Sequence, residues 1–458
     1  MRDEVFTLSS RIARPAAEVF AWHERPGALQ RLCPPWERIE TDDADSGIHD
    51  GARAVVRAKV GPFWSTWQVE HRDYVAGKQF RDGLLSGPFA RWEHLHEFTP
   101  DGADACVLTD TISYRLPYGG IGHAAGAAFT RRKLARMFAW RHAVTRADLE
   151  SVAHYGAVRP MQIVVAGASG LVGRALVPFL RTQGHEVIRL VRHRASKDDE
   201  LSWDPEAGEL YAGKLEDADA IVNLSGENIA GGRWNAARRE RILRSRVDAA
   251  RTLVTALAKN SRRPSVFINA AAVGFYGERG DELMTEADGI GQGFLPEVCL
   301  AWETHAEGAA RLGIRTALMR FGVVLSPAGG ALAKMLPAFW CGVGGRFGNG
   351  RQWMSWISID DAIGAIHHAL LEKRCAGPIN TVSPAAVINA EFVKTLSRVL
   401  HRPAVFPIPA AGLRLLFGEM ANETLLASTR AVPEILTATG YRFRHPDLAT
   451  ALAHVLGR

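Results

Sequence analysis

Gln162-Ile163-Val164-Val165-Ala166 runs directly into Gly167-Ala168-Ser169-Gly170-Leu171-Val172-Gly173, and Arg174 to Thr182 follows with helical periodicity. A short apolar run of this kind suits a parallel strand buried on both faces. The glycines allow a tight turn and a close backbone approach. A helix starting just after such a turn aims free N–H groups and the positive end of its dipole at one point. This order predicts a pyrophosphate site built from Gly167, Ser169, Gly170, Leu171, Val172 and Gly173.

The next strand, Glu186 to Val191, ends at Arg192-His193-Arg194. A carboxylate there would bind the ribose hydroxyls of NAD. A guanidinium suits a 2′-phosphate instead, through charge-assisted bonds. Arg192 therefore predicts NADP(H) over NAD(H); the alternative is that Arg192 and Arg194 are solvated loop charges. Strand, turn and helix keep alternating after Met161, which argues a parallel sheet covered by helices.

Before about residue 155 the grammar is different. Strand-like segments cover Val5 to Ile12, Ala52 to Val60, Trp64 to Tyr74, Phe89 to Phe98 and Ala105 to Tyr114. A short helix is expected over Ala16 to Trp22 and a long one from Gly122 to about Ser151. Tyr155 to Pro160 reads as a linker, since glycine and proline break regular structure. From about Pro384 the chain is helix-rich and punctuated by Pro403, Pro407, Pro409 and Pro433. The expected domains are 1–154, 161–383 and 384–458.

A chain of 458 residues, 47% apolar and 23% charged, is too long for one ordinary domain and too apolar for disorder. The 55 basic and 49 acidic residues leave +6, spread thinly. The one dense basic run, Arg238 to Arg246, is interrupted by Glu240 and backed by Ile242-Leu243, so it reads as a solvated helix face, not a nucleic-acid surface. No apolar run reaches the roughly 20 residues that span a bilayer. Met1-Arg2-Asp3-Glu4 shows no apolar signal core. Five scattered cysteines form no C-x-x-C pair. The expectation is a cytoplasmic protein with no nucleic-acid partner and no membrane insertion; the oligomeric state stays open.

The glycine spacing G-x-x-G-x-x-G resembles the extended and atypical short-chain dehydrogenase/reductase superfamily. Further runs narrow this: Asn223 to Ile229, Arg233-Trp234, Ser245-Arg246-Val247, Ala272 to Gly277, Cys299 to Glu303, Arg320 to Ser326, Gly348 to Gln352 and Trp356 to Asp361. Together they resemble the "epimerase family" branch catalogued as 39U, whose small C-terminal domain is matched by Arg402-Pro403, Pro407, Leu415 to Glu419 and Pro433. The resemblance implies an α/β Rossmann fold, a doubly wound parallel sheet, with a small C-terminal helical domain. It also implies that Leu224-Ser225-Gly226-Glu227 borders the nicotinamide side of the cofactor, that Asn269-Ala270-Ala271 ends the strand beneath it, and that Arg246 lies on the helix behind. Asp360 is either a site residue or simply a helix N-cap.

The superfamily's usual chemistry needs a tyrosine, a lysine four residues later and a serine or threonine on the preceding strand. The best register places Val298, Trp302 and Ala271 there, and no Tyr-x-x-x-Lys occurs in 161–458. Tyr276 and Glu227 are the nearest alternative acids, each with a packing or capping reading beside the chemical one. The catalytic residues therefore stay unassigned. Two functional readings follow. One is an NADP(H)-binding oxidoreductase or epimerase acting on an apolar small molecule with a non-standard site. The other is a catalytically silent NADP(H)-dependent sensor or scaffold.

Residues 4–150 resemble the START/polyketide-cyclase group, through Arg14 to Phe20, Gly27-Ala28-Leu29, Pro34-Pro35-Trp36 and Gly87-Pro88-Phe89 leading to Trp92 through Phe98. That implies an α+β helix-grip domain, an antiparallel sheet wrapped on a C-terminal helix around an apolar cavity, with a small-molecule ligand. Trp92, His94, His96 and Phe98 fall on one strand face. The two histidines offer a metal two ligands, but no third is evident, so they are read as lining or packing and no metal is assigned. Phe63, Trp64 and Trp67 either line the pocket or form ordinary core.

Overall fold

Seven antiparallel strands make the N-terminal sheet: β1 (Glu4–Ile12), β2 (Ile39–Thr41), β3 (Arg53–Val60), β4 (Phe63–Val75), β5 (Gln79–Ser86), β6 (Arg91–Pro100) and β7 (Cys106–Arg115), in the order β1-β7-β6-β5-β4-β3-β2. The computed structural model describes residues 3–41, 47–156, 158–210 and 215–458. Alternation sets the inner face: β6 buries Trp92, His94, His96 and Phe98, and β7 buries Cys106, Leu108, Asp110, Ile112 and Tyr114. Helices α1 (Ala16–Glu24) and α2 (Ala28–Arg31) follow β1, and the long α3 (Gly119–Tyr155) follows β7.

Along α3 the buried residues include Leu134, Phe138, His142, Thr145 and Leu149, an i+3/i+4 stripe. Leu134 and Phe138 pack with Phe6, Trp92, Ile112 and Tyr114, and Leu149 packs with Ile12, Phe20, Phe80, Phe98 and Leu108. Each large apolar side chain so buried contributes about 1.5–3 kcal/mol. The sheet therefore grips the helix as the resemblance implied.

Two strands and a helix, β2, β5 and α2, were absent from the sequence reading. Polar residues and Gly83 break alternation in β5, which forms because β4 and β6 pair with it on both sides. Phe63 and Trp64 do not line the interior. They sit at the start of β4, 75% and 43% exposed, and only Trp67 turns inward, 5.2 Å from both Phe89 and Trp92. Helix α3 ends where Gly156 takes φ 68°; within the expected linker, Ala157 lies outside the described residues.

The second unit is built on strands β8 (Gln162–Ala166), β9 (Glu186–Val191), β10 (Glu200–Asp204), β11 (Glu209–Leu210), β12 (Ala220–Asn223), β13 (Val266–Ala272), β14 (Arg315–Phe321) and β15 (Gly377–Thr381). Their order is β11-β10-β9-β8-β12-β13-β14-β15, parallel except for the antiparallel β11. Helices α4 (Leu171–Thr182), α5 (Ala236–Lys259), α6 (Phe294–Ala306) and α7 (Ile359–Leu371) alternate with these strands. Val164, Ile188, Ile221, Phe267 and Leu318 join Leu253 and Leu257 of α5 and Trp302 and Ala306 of α6 in one core. The C-terminal stretch adds α8 (Asn389–Leu400) and α9 (Leu448–Leu456), packed with Leu332, Leu336 and Phe339. The strand order reverses between β8 and β12, the place where sheets of this kind bind ligands.

Candidate functional site

At the reversal the two loops touch: Leu224 N–H donates to Ala166 O at 2.9 Å. Gly167 has φ +78°, and a Cβ there would stand 2.7 Å from the Leu224 carbonyl group. A Cβ on Gly173 would stand 2.3 Å from Gly167 O and 2.6 Å from Ala168 Cα, so only glycine lets α4 start this close to the turn. Gly170 N–H closes the turn onto Gly167 O at 3.0 Å. Ser169 and Gly170 are exposed and Leu171 and Val172 half-buried, so the first turn of α4 is accessible. A pyrophosphate fits this cradle, where a side chain would not.

Arg192, directly after β9, is exposed and has no hydrogen bond or ion pair among the described residues. Arg189, inside β9, is committed to Asp199 through two bonds of 2.8 and 2.9 Å. Arg192 is therefore available to an anion, as is the equally exposed Arg194.

Side chains hold the second loop at both ends. Asn223 and Asn269, opposite one another in β12 and β13, are fully buried, and Asn223 Nδ2 donates to Asn269 Oδ1 at 2.7 Å. Asn223 Oδ1 accepts from Ser225 N–H at 3.1 Å. Glu227 N–H donates to Ser245 Oγ at 2.9 Å, and Glu227 O accepts from Arg246 Nη2 at 3.1 Å. Arg246 lies 5.0 Å over the Trp302 ring, and burial lowers its pKa. Gly226 leaves the room it needs, since a Cβ there would come 3.1 Å from Arg246 Cζ. Ala270 sits beside Asn269 near the end of β13. The sequence reading gave Asn223 and Ser245 no role; the signal for Asn223 was a polar residue closing a wholly buried four-residue strand.

The usual proton-relay places are apolar and packed. Ala271, Val298 and Trp302 are buried, Val298 against Ile242 and Phe294. Cys299 beside them is buried, which pushes its thiol up to about 12. Tyr276 is fully buried; its hydroxyl lies 2.8 Å from Thr285 O and from Asn380 Oδ1 and accepts from Arg320 Nη1 at 3.0 Å. Burial raises its pKa. Arg320 in turn grips Glu303 through two bonds of 2.8 Å. Tyr276 is thus a strut in a buried network. Glu227 is partly exposed, its Oε1 3.6 Å from Arg238 Nη2. Asp360 is not an N-cap: Ser358 caps α7, and Asp360 lies buried in the first turn with His454 Nε2 3.0 Å away.

An epimerase family protein of Mycobacterium bovis is 42% identical over 296 residues, 65% of this chain and 98% of that protein. The human epimerase family protein SDR39U1 is 34% identical over 305 residues, 65% of this chain and all of that protein. The chain belongs to the SDR39U1 epimerase family. The NAD dependent epimerase/dehydratase family model matches residues 163–381, a domain of unknown function (DUF1731) matches 408–455, and polyketide cyclase/dehydrase and lipid transport matches 4–150. Among solved structures, the nucleoside-diphosphate sugar epimerase from Corynebacterium glutamicum has a TM-score of 0.81 at 33% identity, covering 99% of this chain and 90% of that one. Human SDR39U1 (isoform 2) with NADPH has a TM-score of 0.60 at 32% identity, covering 65% of this chain and 99% of that one. The fold is therefore a Rossmann sheet with a helical C-terminus, preceded by a helix-grip domain. No helix of the described residues is long and apolar enough to cross a membrane.

Proposed function

We propose that the chain binds NADP(H) and acts as an oxidoreductase or epimerase on an apolar small molecule, with little or no ordinary carbonyl reduction. The observation that carries the cofactor choice is Arg192, exposed and uncommitted at the end of β9. Gly167, Ser169, Gly170, Leu171, Val172 and Gly173 would hold the pyrophosphate, and Leu224 to Glu227 with Ala270 would border the nicotinamide. The human relative, described with NADPH, supports the reading. When bound, the cofactor supplies a hydride. Hydride transfer to a carbonyl leaves a developing alkoxide that needs a proton or a stabilising charge. General acid assistance is worth ~10²–10⁴-fold, and Ala271, Val298 and Trp302 supply none.

Calorimetric titration tests the first half. Wild type is expected to bind NADPH more tightly than NADH, and Arg192→Ala to lose about 1.5–3 kcal/mol for NADPH only; equal wild-type affinities overturn it. NADPH oxidation over a panel of aldehydes, ketones and nucleoside-diphosphate sugars tests the second half. Robust turnover would overturn the weak-reduction reading, and Glu227→Gln would then show whether the half-exposed carboxyl is the acid. The burial of all three relay positions also favours a second reading, a silent NADP(H)-dependent sensor or scaffold.

The N-terminal domain is proposed to hold an apolar small molecule. The match of residues 4–150 to the polyketide cyclase/dehydrase and lipid transport family supports this. The domain division at 154–161 and near 383 is part of the same reading. So is a reducing, cytoplasmic setting, since all five cysteines are free thiols.

A further inference from the structure

The helix-grip domain holds a cluster that the cofactor chemistry leaves unexplained. Cross-strand register places His71 of β4 opposite Asp82 of β5, and Asp82 opposite His94 of β6. One rank along, His96 of β6 stands opposite Asp110 of β7. His142 of α3 reaches the same spot, with Nε2 2.5 Å from Asp110 Oδ2 and Nδ1 2.8 Å from Ser10 Oγ. His71, His94, His96, Asp110 and His142 are all buried.

The directions of these groups matter more than their number. Asp110 Oδ1 lies 2.8 Å from His94 Nε2 and 2.6 Å from His96 Nδ1. His94 Nε2 hydrogen-bonds that oxygen, and His96 Nδ1 faces it as one half of an ion pair. The opposite nitrogens, His94 Nδ1 and His96 Nε2, point the other way. Both face Asp82 Oδ2, each at 3.4 Å. These three atoms lie within 4.8 Å of one another, and an ion would replace the proton that His96 Nε2 shares with Asp82. Donors held about 2.1 Å from a tetrahedral ion stand roughly 3.4 Å from one another. The other Asp82 oxygen lies 2.6 Å from His71 Nδ1, yet neither atom makes a hydrogen bond there. Two nearby carboxylates also match the charge of one divalent ion.

The geometry points to a divalent transition-metal site in the helix-grip domain, with Asp82 Oδ2, His94 Nδ1 and His96 Nε2 as ligands. Two imidazoles and one carboxylate are a donor set for zinc or ferrous iron, with a coordination position left for water or a ligand. Asp110 orients both ligand histidines from behind, the usual task of a carboxylate in the shell around such ions. His142, itself held by Ser10, holds Asp110 in turn, and Phe80 stacks on His96 at 4.1 Å, so the site is walled by ring carbon. The third ligand was hidden from the sequence because Asp82 lies on β5, the strand that lacked alternation.

The test uses the tag-free full-length chain, stripped with chelator and titrated with zinc and with cobalt(II). One equivalent is expected, cobalt giving the visible bands of a low-coordinate site and X-ray absorption of the zinc form giving nitrogen and oxygen scatterers without sulfur. His96→Gln is expected to abolish stoichiometric binding, and Asp110→Asn to weaken it ~10–100-fold. Asp360, His445 and His454 form another candidate trio, so His454→Ala is the control and should keep the ion. No stoichiometric binding by wild type overturns the proposal, as does sulfur in the coordination shell or loss of the ion in His454→Ala. If His96→Gln fails to fold, wild type and His454→Ala still decide the matter.

Discussion

Glu303 and Arg320 show what a single buried charge does here. The carboxylate is 4% exposed and the guanidinium 3%, joined by two bonds, with Arg320 also 3.6 Å from the Phe275 ring centre. Glu303→Ala would strand a buried cation, and breaking such a pair from one side costs about 3–5 kcal/mol. Urea denaturation should show a loss of that size; a loss under 1 kcal/mol would mean the pair is not shielded as drawn. Gly173→Ala should both lower stability and remove NADPH affinity in titration, because its Cβ would push α4 off the turn by way of Gly167 O. The glycines were legible in the sequence because a conformation or contact that only glycine allows leaves its mark on one residue. The Arg320–Glu303 pair was not, because its members lie seventeen positions apart and nothing local announces the pairing.

Among elements, α5 and α7 each place a side chain that fixes a distant segment. Arg246 of α5 caps the loop at Glu227 O, so Arg246→Ala should loosen Leu224 to Glu227 and weaken NADPH binding about tenfold, the net value of one charged hydrogen bond. Asp361 of α7 accepts from Arg444 N–H at 2.6 Å and His445 N–H at 3.0 Å, and also receives the Ser358 hydroxyl at 2.8 Å. Asp361→Ala would leave those N–H groups without their acceptor at about 1–3 kcal/mol each, so its melting midpoint should fall well below that of wild type. An unchanged midpoint would show that water replaces the carboxylate. Elements whose buried positions alternate, such as β6 and β7, or whose apolar residues run together, such as β8 and β9, were readable one by one. The strand β5 was not, because its pairing comes from neighbours on both sides. For the same reason Asp82 stayed unconnected to His94 and His96 until the sheet register placed them side by side.

At the scale of the whole chain, the change of pattern near residue 155 separates two kinds of core. Phe6, Trp92, Ile112, Leu134 and Phe138 close one between an antiparallel sheet and α3. Val164, Ile221, Phe267 and Leu318 close another inside a parallel sheet. Each period is built from neighbours in the same stretch of sequence, which is why the division was visible without coordinates while the ligand of either part was not: specificity rests on a few side chains that no periodicity marks. A fragment of residues 1–159 is expected to melt cooperatively on its own, since its sheet and its gripping helix are complete within it. Apolar ligands should then raise its melting midpoint. A ligand at a hundred times its Kd adds about 2.7 kcal/mol, or roughly 5–10 °C for a domain of this size. Differential scanning of the fragment against lipids and polyketide-like aromatics reads this directly. A fragment that folds and shifts with none of them would remove the apolar ligand from the proposal, and one that stays unfolded would show that the first core depends on residues beyond 159.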